Sequence, residues 1–200
     1  KYAGTIGKVG VYSFNGNKII TTGGGGMIVS GDEGLLKKAK HLTTQAKSDE
    51  LYYTHDEIGY NYRMTNIQAA LGLAQLEQLE SFISKKEVNY QTYKKLISTI
   101  RGLSVLNFRP EIRSNYWFYS LMCGQEYPLK RDEVIKYLSL KGIQTRPVWG
   151  LINEQKPYLN NQAYKIEKAK YFLERIVNIP CSTNLSEEDL YYVVDCLCEV

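Results

Sequence analysis

Between Thr65 and Thr99 the chain carries no proline, and apolar residues recur at helical spacing through Ile67, Ala70, Leu71 and Ala74, then Tyr90, Tyr93, Ile97 and Ile100. The stretch opens on Thr65-Asn66-Ile67-Gln68, a capping box whose threonine oxygen and glutamine side chain satisfy the free N–H groups of a helix start. One long helix is therefore expected over 65–101, and a helix of that length suits a spine joining two domains. Residues 1–64 then form one body before it and 102–200 a second body after it.

The two flanks read differently. Before the helix, Val9–Phe14 is β-branched and aromatic, and a short apolar strand, Met27–Val29, follows the run Gly23–Gly26. Gly31–Lys40 reads as a helix, while Ser48–Tyr62 is polar, tyrosine-rich and aperiodic, as a surface or interface loop is. After the helix come strand Tyr116–Met122, helix Arg131–Leu140, strand Gln144–Val148, helix Ala163–Glu174, strand Ile176–Ile179 and a last helix from Ser186. That last helix carries its own box, Ser186-Glu187-Glu188-Asp189, and the stripe Leu190, Val193, Val194, Leu197. The fold class is α/β, with a small α/β domain at 102–200.

Composition narrows the partners. A net charge of +4 from 25 basic and 21 acidic residues lacks the dense Lys/Arg block of a nucleic-acid footprint. The longest helical run without a polar side chain, Ala69–Ala74, is far short of the ~20 apolar residues of a spanning helix, so no membrane partner is expected. Cys123, Cys181, Cys196 and Cys198 have neither zinc spacing nor scaffold density, so they read as thiols and the compartment as the cytoplasm. His41 and His55 stand alone, read as surface or hydrogen-bonding residues, and give no metal site. Glu187, Glu188 and Asp189 match a helix dipole and are not a catalytic set.

The segment with chemistry in it is Val11-Tyr12-Ser13-Phe14-Asn15-Gly16-Asn17-Lys18-Ile19-Ile20-Thr21-Thr22 followed by the four glycines. A lysine between strand ends, flanked by hydroxyls and by backbone N–H groups that glycine leaves accessible, has what a phosphate-bearing aldehyde requires. Two other phosphate loops fail on spacing. A Walker loop needs glycine where Tyr12 and Asn17 stand and a hydroxyl where Ile19 stands, and a dinucleotide fingerprint needs a helix where Met27-Ile28-Val29 reads as strand. Residue types alone leave two readings open: a catalytic Lys18, or a solvated turn lysine with glycines that permit a tight bend.

Ser13-Phe14-Asn15-Gly16-Asn17-Lys18, with Thr21-Thr22 and Gly25-Gly26, closely resembles the lysine motif of the DegT/DnrJ-type sugar aminotransferases. A second block, Gly59-Tyr60-Asn61-Tyr62-Arg63-Met64-Thr65-Asn66-Ile67-Gln68 running on to Leu76, resembles that family's interface loop and helix. Looser likeness through Thr145-Arg146-Pro147-Val148-Trp149 and Lys156-Pro157-Tyr158 extends it over essentially the whole chain, nearest to enzymes of legionaminic-acid and bacillosamine precursors. Gly24 departs from members that are acidic at that position, which bears on the subgroup and not on the chemistry.

The resemblance implies the C-terminal part of a fold-type I, pyridoxal 5'-phosphate (PLP)-dependent aminotransferase. Residues 1–64 would end the large cofactor-binding domain, 65–101 would be the linking helix and 102–200 the small domain. Lys18 would form the Schiff base with PLP and shuttle the proton, and Ser13 would hold the cofactor phosphate. Asn61 would reach the phosphate of a partner subunit, making a homodimer with shared active sites, and Arg63 would support that loop or meet an anionic substrate. Arg146 and Trp149 either end the small domain or, as the resemblance implies, lie near the substrate; by residue type Tyr52, Tyr53, Tyr60 and Tyr62 line a sugar-nucleotide cleft or, the favoured reading, a subunit interface. The implied reaction moves an amino group from an amino acid, glutamate, to a nucleotide-linked keto-deoxy-sugar in bacterial surface-glycan biosynthesis. The family's acid for the pyridine nitrogen, its stacking ring and its first phosphate loop would lie before Lys1, so the chain alone is expected to be inactive. The alternatives are a sugar dehydratase, a branch in which histidine replaces the lysine, and a non-catalytic sensor or regulator on the same fold.

Overall fold

The computed structural model describes residues 1–49 and 51–200 and divides the chain into two compact units, Lys1–Glu80 and Ser81–Val200. The first unit opens with an antiparallel hairpin of β1 (Gly10–Ser13) and β2 (Gly26–Val29), in register from Gly10↔Val29 to Ser13↔Gly26. Helix α1 (Glu33–Thr43) follows, its N-terminus capped by Asp32, whose carboxylate accepts the Leu35 N–H at 3.0 Å. A second hairpin, β3 (Lys47–Asp49) and β4 (Thr54–His55), lies inside the segment read as an aperiodic loop. Its turn is made by Asp49, whose carboxylate accepts the N–H groups of Leu51 and Tyr52 at 2.8 and 2.9 Å, so no Gly or Pro announces it. Glu50, also in that loop, lies outside the described residues.

The expected continuous helix is two helices, α2 (Asn66–Leu76) and α3 (Leu79–Ile97). The Thr65/Gln68 box caps α2, as the sequence predicts. The interruption has a local cause. The Gln78 side-chain amide donates to Ala74 O at 3.2 Å, the acceptor that its own backbone N–H would use in an α-helix, and that N–H turns to Gln75 O at 3.1 Å. A side chain substituting in the i→i−4 ladder breaks a helix without help from proline or glycine.

The second unit holds an antiparallel four-stranded sheet in the order β5 (Leu103–Val105), β6 (Tyr119–Cys123), β8 (Ile176–Ile179), β7 (Arg146–Pro147). Strand β6 alternates as a half-buried strand does, with Tyr119, Leu121 and Cys123 inward, whereas β8 is buried along its length. β7 is shorter than the expected Gln144–Val148, and Pro147 sits where a proline is tolerated, on an edge strand. Helices α4 (Arg131–Leu140), α5 (Glu167–Leu173) and α6 (Glu187–Cys198) complete the unit, with α6 capped by the Ser186/Asp189 box. The core joins Tyr90, Tyr93 and Ile97 of α3, Val134 and Leu138 of α4 and Leu190, Val193, Val194 and Leu197 of α6 to the sheet. Tyr119, fully buried, satisfies its hydroxyl by donating to Lys86 O at 2.7 Å.

Candidate active site

Lys18 sits in the loop between β1 and β2, half-buried, where the sequence places it. The loop is pinned at its base: Phe14 N–H donates to Gly25 O at 3.0 Å, and both Thr22 N–H and Thr21 Oγ1 donate to Phe14 O at 3.0 Å. Residues 15–20 therefore stand as a closed excursion, with a turn from Lys18 N–H to Asn15 O at 3.0 Å at the lysine itself. The glycines serve this closure. Gly23 and Gly25 take φ of 79° and 99°, which other residues adopt only with strain, and Thr22 Oγ1 donates to Gly24 O in the same bend. Buried Thr22 and the adjacent Thr21 lock the loop, since Thr21 N–H donates to Gln75 Oε1 on α2 at 3.1 Å. Gln75 carries no mark in the sequence as part of this site. The signal that could have shown the contact is Gly72, a glycine inside a helix one turn earlier, where an added Cβ would lie 2.8 Å from Thr22 Cγ2.

Ser13 ends β1, and its Oγ accepts the Asn15 N–H at 3.4 Å. Among the described residues that hydroxyl donates to nothing, so its proton is available to an oxyanion. Asn61 pairs through its backbone with Thr44 in an isolated bridge, and its chain neighbours Tyr60 and Tyr62 stack on each other with ring centroids 5.2 Å apart. The amide of Asn61 and the guanidinium of Arg63 are exposed and have no partner among the described residues. Tyr52, Tyr53, Tyr60 and Tyr62 are all exposed. The structure thus brings Lys18 and Ser13 into one hairpin and places Asn61 and Arg63 on the connection from β4 to α2.

Arg146 and Trp149 belong to the other unit. Arg146 opens β7 with an exposed guanidinium that donates to Thr145 O at 3.3 Å, and Trp149 follows on the exposed connection after the strand. His41 is hydrogen-bonded, not isolated: Nε2 lies 2.7 Å from Asp56 Oδ1 and 3.5 Å from Glu57 Oε1, and Lys38 pairs with the same Glu57. The His41, Asp56 and Glu57 ligand atoms lie within 4.8 Å of one another. The four cysteines are all free thiols, and among the described residues no helix is long and apolar enough to cross a membrane.

A primary amine on a locked loop and, in the same hairpin, a hydroxyl proton free for a phosphate oxygen are donors that a phosphorylated aldehyde cofactor takes. The residues present therefore fit such a group. Solved structures share the architecture. The Helicobacter pylori aminotransferase PseC, described as involved in the biosynthesis of pseudoaminic acid, superposes with a TM-score of 0.89 at 26% identity, over 100% of this chain and 54% of that one. A model of the DegT/DnrJ/EryC1/StrS aminotransferase family matches residues 1–198, and the chain belongs to that family. It is 38% identical to the GDP-perosamine synthase of Escherichia coli O157:H7, over 100% of this chain and 53% of that protein. It is 35% identical to EpsN of Bacillus subtilis, assigned as a pyridoxal phosphate-dependent aminotransferase, over 98% of this chain and 51% of that protein. The chain spans about half the length of the curated relatives it matches.

Proposed function

We propose that the complete protein is a PLP-dependent aminotransferase that moves an amino group from an amino acid, glutamate, to the keto carbon of a nucleotide-linked deoxy-sugar, supplying precursors of a surface glycan. The observation that carries this reading is the half-buried Lys18 on a loop closed by Phe14, Thr21, Thr22 and Gly25, in one hairpin with a Ser13 hydroxyl that has a proton to give. The names of the relatives support it, since they are a GDP-perosamine synthase and, at 27% identity, a dTDP-4-amino-4,6-dideoxy-D-glucose transaminase. When bound, the cofactor supplies the electron sink that lets a proton leave the carbon bearing nitrogen.

The chain's own residues do the rest. Ser13 Oγ–H donates to a phosphate oxygen and fixes the cofactor's position relative to Lys18. Lys18 Nζ would hold the cofactor and, as the general base and acid of the site, would accept and return the proton at the carbon bearing nitrogen. Because the amino donor would give up its nitrogen and depart as a keto acid before the sugar enters, one site would serve both in turn, as a ping-pong enzyme requires. Asn61 donates its amide to the phosphate in the site of a second copy, and Arg63 holds that connection or meets an anionic substrate. Residues 1–64 then belong to the large domain and 102–200 to the small one. A regulator on the same fold would have no use for Lys18, Ser13 and Asn61 together.

Activity tests this directly. The full-length protein, given glutamate and a panel of nucleotide keto-sugars, should convert one into an amino-sugar nucleotide detected by mass. Lys18→Ala should lower the rate by about 10²–10⁴-fold or more, the span of a removed acid–base group. An unchanged rate in Lys18→Ala would overturn the assignment.

A further inference from the structure

Trp117, Phe118 and Trp149 come together in the second unit as an open aromatic corner. The Trp117 and Phe118 ring centroids are 4.3 Å apart at 40°, Trp117 and Trp149 are 5.8 Å apart at 38°, and Phe118 meets Trp149 at 5.4 Å and 71°. Neighbours along a β-strand point to opposite faces, so two consecutive rings in contact mean that Trp117 and Phe118 lie outside strand geometry. They do: β6 begins only at Tyr119, and Tyr116 before them takes a φ of 53°. That left-handed conformation is strained for a non-glycine residue, and it takes the chain out of extended geometry just before the two rings. Trp149 remains 64% exposed, and its indole N–H has no partner among the described residues. Trp117 and Phe118 are half-buried, so Trp149 is the ring the corner leaves open to solvent.

We propose that this corner stacks the nucleobase of the nucleotide-linked sugar, with the Arg146 guanidinium taking the diphosphate. The proposal rests on the functional reading above and names the part of the substrate that this unit holds. Three observations select a nucleoside diphosphate over a free hexose or a protein partner. The rings are mutually inclined, which makes a cleft edge for a flat ring and not a level apolar face. Arg146, three residues before Trp149, is an exposed cation with no carboxylate partner among the described residues, as a diphosphate site needs. The relatives carry guanosine, thymidine and uridine diphosphates in their names, and stacking accepts all three because every base has a π-face. Stacking also grows with ring area, so guanine should be held more tightly than uracil.

Trp117 and Trp149 are the chain's two tryptophans, so the tryptophan emission of the 200-residue chain reports on this corner alone. Titration with GDP should give saturable quenching, with affinity falling in the order GDP, dTDP, UDP and no saturation with methyl glucoside. Trp149→Ala should weaken GDP binding by about 5- to 100-fold, and Trp149→Phe by much less. Arg146→Gln should weaken GDP while leaving guanosine unchanged, and calorimetry on the full-length protein should show the same Trp149→Ala loss. Linear quenching like that of free N-acetyltryptophanamide, equal affinity in Trp149→Ala, or saturation by the glucoside would overturn the proposal. Failure of the underlying function is read separately, by whether the full-length protein carries cofactor on Lys18. Cofactor present with no saturable quenching removes only the stacking, and quenching without cofactor removes only the transaminase reading.

Discussion

Asp56 shows how single residues hold the connection that carries Asn61. Its carboxyl is kept below the ordinary value of 3.8, first by its hydrogen bond to His41, then by the charges of His41 and Lys38, against the opposing effect of burial. A carboxyl depressed in the folded state adds stability above the unfolded value, and that stability is lost as pH falls through the folded one. The Asp56 carboxyl resonance should therefore titrate below 3.8, and His41→Ala should return it toward that value; an unmoved midpoint would contradict the pairing. This pair was not legible in the sequence, because His41 and Asp56 are fifteen residues apart and nothing local marks them as partners. Ser13 and Lys18 could be read together because they lie in one contiguous motif, and the structure keeps them in one hairpin; Asn61 stands in a separate block on the connection from β4 to α2. Trp117 and Phe118 were read as part of a strand, and only the turned backbone at Tyr116 reveals them as a pair of rings on one side.

At the scale of elements, α2 acts as the backing of the lysine loop. Gly72 faces Thr22 and Gln75 binds Thr21 N–H, so one helical turn grips two consecutive threonines. Alanine at 72 would gain about 0.5–1 kcal/mol as a better helix former. It would also press a methyl to 2.8 Å from Thr22 Cγ2, and overpacking costs about 1–3 kcal/mol. The second effect is the larger, because threonine is short and its hydroxyl is committed to Gly24 O. Gly72→Ala in the full-length protein should therefore lose about 1 kcal/mol by denaturant titration, and Thr22→Ser, which deletes the offending methyl, should recover it. A stabilised Gly72→Ala would show that the contact yields. Helix α4, strand β8 and both capping boxes match the sequence reading because periodicity and cap chemistry are local. The break at Glu77–Gln78 escaped it because glutamine is an ordinary helix former, and only its side chain's choice of Ala74 O interrupts the ladder.

The whole molecule is uneven in how its parts are stabilised. The buried core belongs to residues 81–200, whereas in the unit Lys1–Glu80 the described buried hydrophobic residue is Ala46. Val11, Ile58 and Ile67 there are 72%, 83% and 84% exposed, and apolar side chains in water contribute nothing to holding a fold. In the 200-residue chain, hydrogen exchange should thus be slow in β6, β8 and α6 and fast through residues 1–80. Equal protection in both units would contradict this division. Lys18 is tested by borohydride reduction of the full-length protein with PLP, followed by peptide mass mapping. The reduced cofactor should be found on Lys18 and be absent from that peptide in Lys18→Ala; cofactor fixed to another lysine, or to none, would overturn the assignment of Lys18.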